Sequence, residues 1–294
     1  MTTHHHAEDI DWEAMSDQLV SQAELYVPAF EEAAAWLRGQ VCEGQEATEV
    51  RRVLDVGSGP GVVTSLLARA FPAAEVVAVD QAEGLLERAR AYAAEHGVAE
   101  RVVTRRADLP GDIDALGEAD LIWSRNTVHH LGDQQGALHS LGALLRPGGL
   151  LAVAEGGLPP RFLPRDIGLG RPGLQARLDV ALEEVFTAMR ADLPGTTSVV
   201  EDWPAMLAQS GLVPTGTRSF LVDIPAPLDV SARRYLHGHL VRLRDKVADR
   251  LPEEDLRTLD YLVKEDDERG VLWRPDVFYL AATTIHTARS CTGK

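Results

Sequence analysis

The sequence contains little cysteine. Its 294 residues include two cysteines, Cys42 and Cys291, which lie near opposite ends of the chain. Neither has a second cysteine or a histidine beside it at the spacing that zinc sites use. The sequence therefore predicts neither a disulfide framework nor a metal site.

Positive charge is also in short supply. Lysine and arginine together number 29 against 45 aspartates and glutamates, which gives a formal net charge of −16. Proteins that bind DNA or RNA usually neutralise phosphates with an excess of lysine and arginine. The arginines at Arg105-Arg106 and from Arg233 to Arg244 are expected to lie on solvated helix faces. The composition therefore argues against nucleic acid as a partner.

Long apolar runs are absent as well. No stretch of the sequence approaches the roughly 20 apolar residues that cross a bilayer. Residues 1–9 lack the basic and then apolar pattern of a signal peptide, and His4, His5 and His6 fit a frayed polar terminus. We therefore expect no membrane association and a cytoplasmic location.

The middle of the chain alternates short β-rich apolar runs with helical segments. The runs lie at residues 53–56, 76–79, 102–104, 121–123 and 150–153. Strands separated by helices of this length favour right-handed crossovers and a parallel sheet. The sequence thus predicts an α/β protein whose central part is built from strand–helix repeats.

Before and after this alternating region, apolar residues recur mainly at helical spacing. Residues 11–39 predict two N-terminal helices, the second beginning near Pro28, and a polar linker follows at residues 43–49. After a Pro/Gly-rich stretch, a helix is expected at residues 174–189. Two more helices are expected at 231–249 and 253–263, between strands at 215–224 and 277–286. We divide the chain into N-terminal helices at residues 1–48 and a main domain at 49–294, with helical insertions at about 158–200 and 229–270.

The strongest local motif is a glycine-rich turn directly after the first predicted strand. It reads Val53-Leu54-Asp55-Val56-Gly57-Ser58-Gly59-Pro60-Gly61. Glycines at such a turn let the backbone approach a ligand closely, at the edge where open α/β sheets bind nucleotides. A dinucleotide fingerprint would place a glycine three positions after Gly59, but Val62 stands there. The spacing therefore disfavours a nicotinamide-dependent redox enzyme.

This G-x-G-x-G turn after an acidic residue resembles motif I of the class I S-adenosylmethionine-dependent methyltransferases. The resemblance extends over residues 51–155, where Asp80, Asp108, the segment 120–131 and the segment 145–153 fall in the family's order. It implies a Rossmann-like, doubly wound, seven-stranded and mostly parallel sheet with an antiparallel last strand. The N-terminal helices and the two insertions are then expected to form a helical cap over the carboxyl edge of the sheet.

The resemblance also implies which residues hold S-adenosylmethionine. Asp80 at the end of the second strand would accept hydrogen bonds from the ribose hydroxyls, and Asp108 would contact the adenine amine. Arg125 would reach the methionine carboxylate. Asp55 would order the glycine loop or reach the cofactor's amino group. The full predicted cofactor set is Asp55, Gly57, Ser58, Gly59, Gly61, Asp80, Gln81, Asp108, Leu109 and Arg125. Other roles stay open: Asp80 as a helix N-cap, Asp108 as a turn former and Arg125 as a surface ion pair.

Methyl transfer is an in-line displacement, and a hydroxyl or acidic carbon acceptor also needs a base. His129 and His130 follow the fourth strand, and imidazole titrates near neutral pH. We take them as candidate catalytic bases and favour His130. A structural role for either histidine is the alternative, and His237 and His239 in the late insertion are further candidates.

The resemblance implies methyl transfer to the oxygen, nitrogen or carbon of a small organic acceptor, and the similarity to natural-product and quinone-type members of the family implies secondary metabolism. The substrate is expected to be a small molecule rather than a nucleic acid or a membrane, and the sequence leaves a homodimer open. A second hypothesis keeps the cofactor pocket but assigns a cyclisation or rearrangement without methyl transfer.

Overall fold

The computed structural model describes residues 15–42 and 49–291. The predicted polar terminus with His4, His5 and His6 lies outside the described residues, as does nearly all of the predicted linker at residues 43–49. The described chain divides into two compact units. The first comprises residues up to 156, 192–220 and from 283 onward, and the second comprises residues 157–191 and 221–282.

Seven strands are described, and they form one sheet. Their bounds are β1 Arg52–Val56, β2 Glu75–Asp80, β3 Val102–Arg106, β4 Ala119–Arg125, β5 Leu145–Arg161, β6 Val213–Ile224 and β7 Tyr279–Arg289. The order across the sheet is β3-β2-β1-β4-β5-β7-β6. Strands β3, β2, β1, β4 and β5 pair in parallel.

The last strand runs against its neighbours. Near the end of β7, the Ser290 amide donates to Gly149 at the start of β5. On the other side of β7, Thr217 and Ser219 of β6 hydrogen-bond His286 and Thr284 respectively, so the numbering falls along one strand as it rises along the other. The predicted α/β fold, a Rossmann-like seven-stranded and mostly parallel sheet, is therefore confirmed.

Strand β5 is longer than the sequence predicts. The pattern indicated a strand at residues 150–153 followed by an irregular Pro/Gly-rich stretch, whereas β5 continues to Arg161. Within the second unit, the Phe278 amide donates to the Phe162 carbonyl just beyond the end of β5. Pairing between distant segments thus overrides the local preference of glycine and proline for turns.

Nine α-helices are described, and those of the first unit lie on both sides of the sheet. Their bounds are α1 Ser16–Leu25, α2 Val27–Cys42, α3 Val62–Ala70, α4 Glu83–Glu95, α5 Gln134–Ala143, α6 Leu174–Asp192, α7 Trp203–Gln209, α8 Val230–Lys246 and α9 Glu253–Leu262. The two helices predicted before residue 40 are confirmed as α1 and α2. No described helix combines the length and the apolar character needed to span a membrane.

Alternating side chains of the strands supply the two faces of the core. On one face, Val77 and Val79 of β2 belong to a cluster with Leu138 of α5 and Leu207 of α7. On the other face, Ala78 packs with α4. Period-two alternation therefore buries both sides of β2, as a parallel sheet covered by helices requires.

The second unit is held by a buried ion pair as well as by apolar packing. Asp255 of α9 is fully buried and accepts hydrogen bonds from Arg171 at 2.8 Å and from Arg177 at 2.7 Å. These bonds hold the pKa of Asp255 below its ordinary value. Charged hydrogen bonds of this kind fix α6 and α9 within the unit.

Candidate functional site

The carboxyl ends of β1, β2 and β4 bring the predicted cofactor residues to one edge of the sheet. The loop after β1 turns through Gly57 and Gly59, whose φ angles are +73° and +54°. The Gly57 and Ser58 amides both donate to the Val79 carbonyl at 2.9 Å. Neighbouring strand β2 thus fixes the loop that leads from β1 into α3.

Each glycine of this loop is favoured for a different structural reason. A Cβ at Gly61 would lie 2.5 Å from Ala89 Cβ, so glycine there permits α3 and α4 to pack closely. A Cβ at Gly57 would collide with the Thr127 side chain. A Cβ at Gly59 would meet nothing within 4 Å. Gly59 is therefore the position where the loop backbone borders open space that a ligand can enter.

Two alanine substitutions separate packing from ligand binding. Both positions have positive φ, so the backbone strain of about 1 kcal/mol is common to both. Gly61→Ala should cost a further 1–3 kcal/mol or so of folding stability through overpacking against Ala89. Gly59→Ala should lower the free energy of unfolding in urea by less than Gly61→Ala does. It should, however, weaken S-adenosylhomocysteine binding in calorimetry. The reverse ranking would refute these roles.

Asp80 closes β2 and lies directly beside the loop. Its carboxylate accepts hydrogen bonds from the Gly59 amide at 2.9 Å and from the Ala82 amide at 3.0 Å, one on each oxygen. Each carboxylate oxygen has two lone pairs, so each can also accept a hydrogen bond from a ligand hydroxyl. Burial raises the pKa of Asp80, and the bonds from Ala82 and Gly59 oppose that shift. The carboxylate suits a pair of vicinal hydroxyls, such as those of a ribose.

Asp55 lies beneath the loop in the interior. It is 2% exposed and accepts a hydrogen bond from Thr64 Oγ1 at 2.6 Å. Its pKa is raised to about 7, mainly by burial; the bond from Thr64 and the charge of Arg125 oppose this shift, and the charge of Asp80 adds to it. The bond ties the end of β1 to α3, the two elements that the glycine loop connects.

Arg125 ends β4 and contacts aromatic rings from the N-terminal helices. Its guanidinium carbon lies 5.2 Å from the ring centroid of Tyr26 and 4.9 Å from that of Phe30. Cations stack favourably on aromatic faces at such distances. Tyr26 and Phe30 therefore hold the guanidinium at the carboxyl end of β4, where its charge lowers the pKa of Asp55.

The remaining predicted cofactor residues lie past the ends of β1, β2 and β3. Asp108 is exposed, and its amide donates to Asp112 Oδ2 at 2.8 Å, which orders the turn. Leu109 packs partly buried against the core. Gln81 is exposed and its carbonyl accepts a bond from Arg106, and Ser58 is half-buried in the loop.

The histidine pair lies in a short 3-10 turn after β4, Val128–His130. His129 Nδ1 lies 2.7 Å from Glu155 Oε2. The other carboxylate oxygen, Oε1, accepts hydrogen bonds from the Thr127 amide at 3.0 Å and from the Val128 amide at 2.9 Å. The rings of His129 and His130 have centroids 4.2 Å apart. Of the two candidate bases, His129 is therefore the one that Glu155 holds.

Sequence reasoning missed Glu155, Thr127 and the two aromatic rings beneath Arg125. Glu155 is 2% exposed although it is an acidic residue at the end of the apolar run 150–154. An acidic residue in that position is a signal of a specific partner, because a buried carboxylate needs donors. No local pattern in the sequence indicates the contact of Arg125 with Tyr26 and Phe30.

The histidines of the late insertion have their own surroundings in the second unit. His237 Nε2 lies 2.8 Å from the Val263 carbonyl, which ties α8 to the end of α9. The ring of His239 stacks near Tyr235, with centroids 6.0 Å apart, and burial lowers its pKa to about 4. His237 thus hydrogen-bonds the backbone within the second unit, and His239 is neutral at neutral pH.

The sheet order, the glycine loop and Asp80 define the class: a Rossmann-like α/β protein, a fold in which nucleotides bind at the carboxyl edge of the sheet. Residues 53–149 match a family of methyltransferase domains. The chain therefore carries a class I S-adenosylmethionine-dependent methyltransferase domain in this segment, as the sequence resemblance implied. Domains of this family use S-adenosylmethionine.

Several known proteins resemble this domain. The trans-aconitate 2-methyltransferase of Variovorax paradoxus (strain S110) is 37% identical over 109 residues, which are 36% of this chain and 38% of that protein. The ubiquinone biosynthesis O-methyltransferase of Mesorhizobium japonicum is 36% identical over 104 residues, 35% of this chain and 40% of that protein. The chain thus matches these curated relatives over less than half of their length.

A solved structure resembles nearly the whole chain. It belongs to a Bacillus halodurans C-125 protein assigned as a methyltransferase, with 16% identity and a TM-score of 0.53, and it covers 89% of this chain and 99% of that one. At this identity the likeness shows the fold.

Proposed function

We propose that this protein transfers the methyl group of S-adenosylmethionine to the oxygen, nitrogen or carbon of a small organic acceptor. We place the activity in the cytoplasm and in secondary metabolism. The observation that carries the proposal is the Asp80 carboxylate, which the Gly59 and Ala82 amides hold beside open space at the loop.

The residues at this edge fit the cofactor group by group. Asp80 would accept the ribose hydroxyls, the backbone at Gly59 would border the nucleoside, and Asp108 with Leu109 would flank the adenine. Arg125 and Asp55 would serve the methionine end, where a carboxylate and an ammonium group call for opposite charges. When bound, the cofactor supplies an electrophilic methyl group on a sulfonium centre.

Two facts support a small acceptor. The formal net charge of −16 disfavours tRNA or DNA as a substrate, because phosphate binding depends on cationic side chains. The relatives named above carry the names of a small acid, trans-aconitate, and of ubiquinone biosynthesis. We therefore propose a small-molecule acceptor for this chain as well.

The proposal is tested with methyl-labelled S-adenosylmethionine and a mixed small-molecule extract. The expected result is labelled product together with S-adenosylhomocysteine in equal amounts. A protein that binds the cofactor and consumes a substrate without forming S-adenosylhomocysteine would instead support the cyclisation or rearrangement. A protein that does not bind the cofactor would contradict both.

Asp80→Ala should weaken the binding of S-adenosylhomocysteine by about 1–3 kcal/mol, because buried hydroxyls would lose a charged acceptor. Isothermal titration calorimetry measures the change. Asp223→Ala is the matched control, since Asp223 is exposed on β6. Unchanged affinity in Asp80→Ala would remove Asp80 from the site.

A further inference from the structure

The turn after β4 places three donors around a single buried carboxylate. Glu155 Oε1 accepts hydrogen bonds from the Thr127 and Val128 amides, and Oε2 lies 2.7 Å from His129 Nδ1. Glu155 is 2% exposed, and the His129 side chain is 19% exposed. A carboxylate with three donors at these distances fixes both the turn and the imidazole that belongs to it.

The two backbone amides settle which carboxylate oxygen meets the histidine. Since Oε1 is occupied by two N–H groups, Oε2 is the atom that accepts the proton on Nδ1. In a neutral imidazole one nitrogen carries the proton and the other carries the lone pair. A proton held on Nδ1 by Glu155 leaves the lone pair on Nε2, where it can accept a proton from another group.

We propose that Glu155 is a positioning residue that fixes His129 as the general base, and that the acceptor carries a proton on its nucleophilic atom. A phenolic or enolic hydroxyl fits this description. An ionised carboxylate acceptor has no proton to lose, so its methylation would not require the Glu155–His129 pair. This inference rests on the proposed methyl transfer and specifies its acceptor.

The transfer balances with these groups. The acceptor oxygen forms a bond to the methyl carbon as the sulfur–carbon bond breaks, and the bonding pair stays on sulfur to give a neutral thioether. The acceptor's proton moves to Nε2 of His129, which becomes an imidazolium stabilised by the Glu155 carboxylate. No further reactant is required.

Glu155→Gln tests the positioning role sharply. The backbone amides of Thr127 and Val128 will keep the glutamine oxygen at the Oε1 place, so the amide nitrogen must take the place of Oε2. It then donates to Nδ1 and moves the imidazole proton to Nε2. The variant preserves size and the turn, but His129 loses its basic lone pair at Nε2.

The measurement is nitrogen NMR of protein labelled in histidine, at about pH 8, where an ordinary imidazole is neutral. His129→Asn assigns the signals, and Glu118→Gln is the control because Glu118 is an exposed residue. We expect a protonated Nδ1 in the wild-type protein and in the control, and a protonated Nε2 in Glu155→Gln. A protonated Nε2 in the wild-type protein would overturn the proposal even if the variant failed to fold.

Turnover and product chemistry complete the test. Glu155→Gln should lower turnover by roughly 10²–10⁴ while S-adenosylhomocysteine affinity stays unchanged. The labelled product should resist alkali, as ethers do, whereas a methyl ester as the main product would overturn the hydroxyl acceptor. A wild-type protein that does not bind the cofactor would refute the proposed methyl transfer. The NMR measurement would still show which nitrogen of His129 carries the proton.

Discussion

His129→Ala is expected to lower turnover by roughly 10²–10⁴, the usual loss when a general base is removed. The imidazole is held by Glu155 at 2.7 Å, so its removal deletes the group to which the acceptor's proton would pass. The affinity for S-adenosylhomocysteine should stay nearly the same, because the predicted cofactor contacts come from the glycine loop, Asp80 and Arg125. Turnover, calorimetry and melting temperature are measured on the same preparations.

His130→Ala is the matched control for this prediction. The sequence favoured His130, but His129 is the residue that contacts the buried carboxylate, and we therefore propose His129 as the base. His130→Ala should retain most of the turnover per folded molecule. A large loss in His130→Ala combined with near-full activity in His129→Ala would reverse the assignment.

Asp55→Asn should change how the folding stability depends on pH. Burial raises the pKa of Asp55 from 3.8 to about 7, so the folded state holds a proton that the unfolded chain releases above about pH 4. The wild-type protein thus loses stability relative to Asp55→Asn as the pH rises from about 4 to about 7. The shift of about three pKa units corresponds to roughly 4 kcal/mol at most.

Urea unfolding of both proteins at about pH 4.5 and about pH 8, without cofactor, measures this difference. The asparagine remains neutral and can still accept the bond from Thr64 Oγ1, so the comparison isolates the titration. We expect the free energy of unfolding of Asp55→Asn, relative to that of the wild-type protein, to be higher at about pH 8 than at about pH 4.5. An equal difference in the free energy of unfolding at both pH values would mean that Asp55 is ionised in the folded protein throughout this range.

The sequence predicted the parts of the site that follow from local pattern. A buried strand followed by Gly57, Gly59 and Gly61 is typical of a tight ligand-binding turn at the carboxyl edge of an open α/β sheet, and an acidic residue at the end of the next parallel strand must lie at the same edge. The contact between Asp80 and the Gly59 amide therefore agrees with the predicted placement. The parallel pairing of the first five strands was also predictable, because strands separated by helical segments of this length favour right-handed crossovers.

Contacts that depend on strand register were not predictable. Glu155 lies 26 residues beyond His129, and the two meet because β4 and β5 pair Arg125 with Ala154. A shift of one residue would point the carboxylate to the other face of the sheet. The approach of Tyr26 and Phe30 to Arg125 likewise depends on how α1 and α2 pack, which no local pattern specifies.

We propose that the loop after β1 and Asp80 together bind S-adenosylmethionine. Calorimetric titration of the wild-type protein with S-adenosylhomocysteine, and in parallel with NADH and NADPH, tests it most directly. We predict a saturable heat with S-adenosylhomocysteine that is reduced in Asp80→Ala, and no binding of either dinucleotide. Binding of a dinucleotide, with no heat from S-adenosylhomocysteine, would contradict the account.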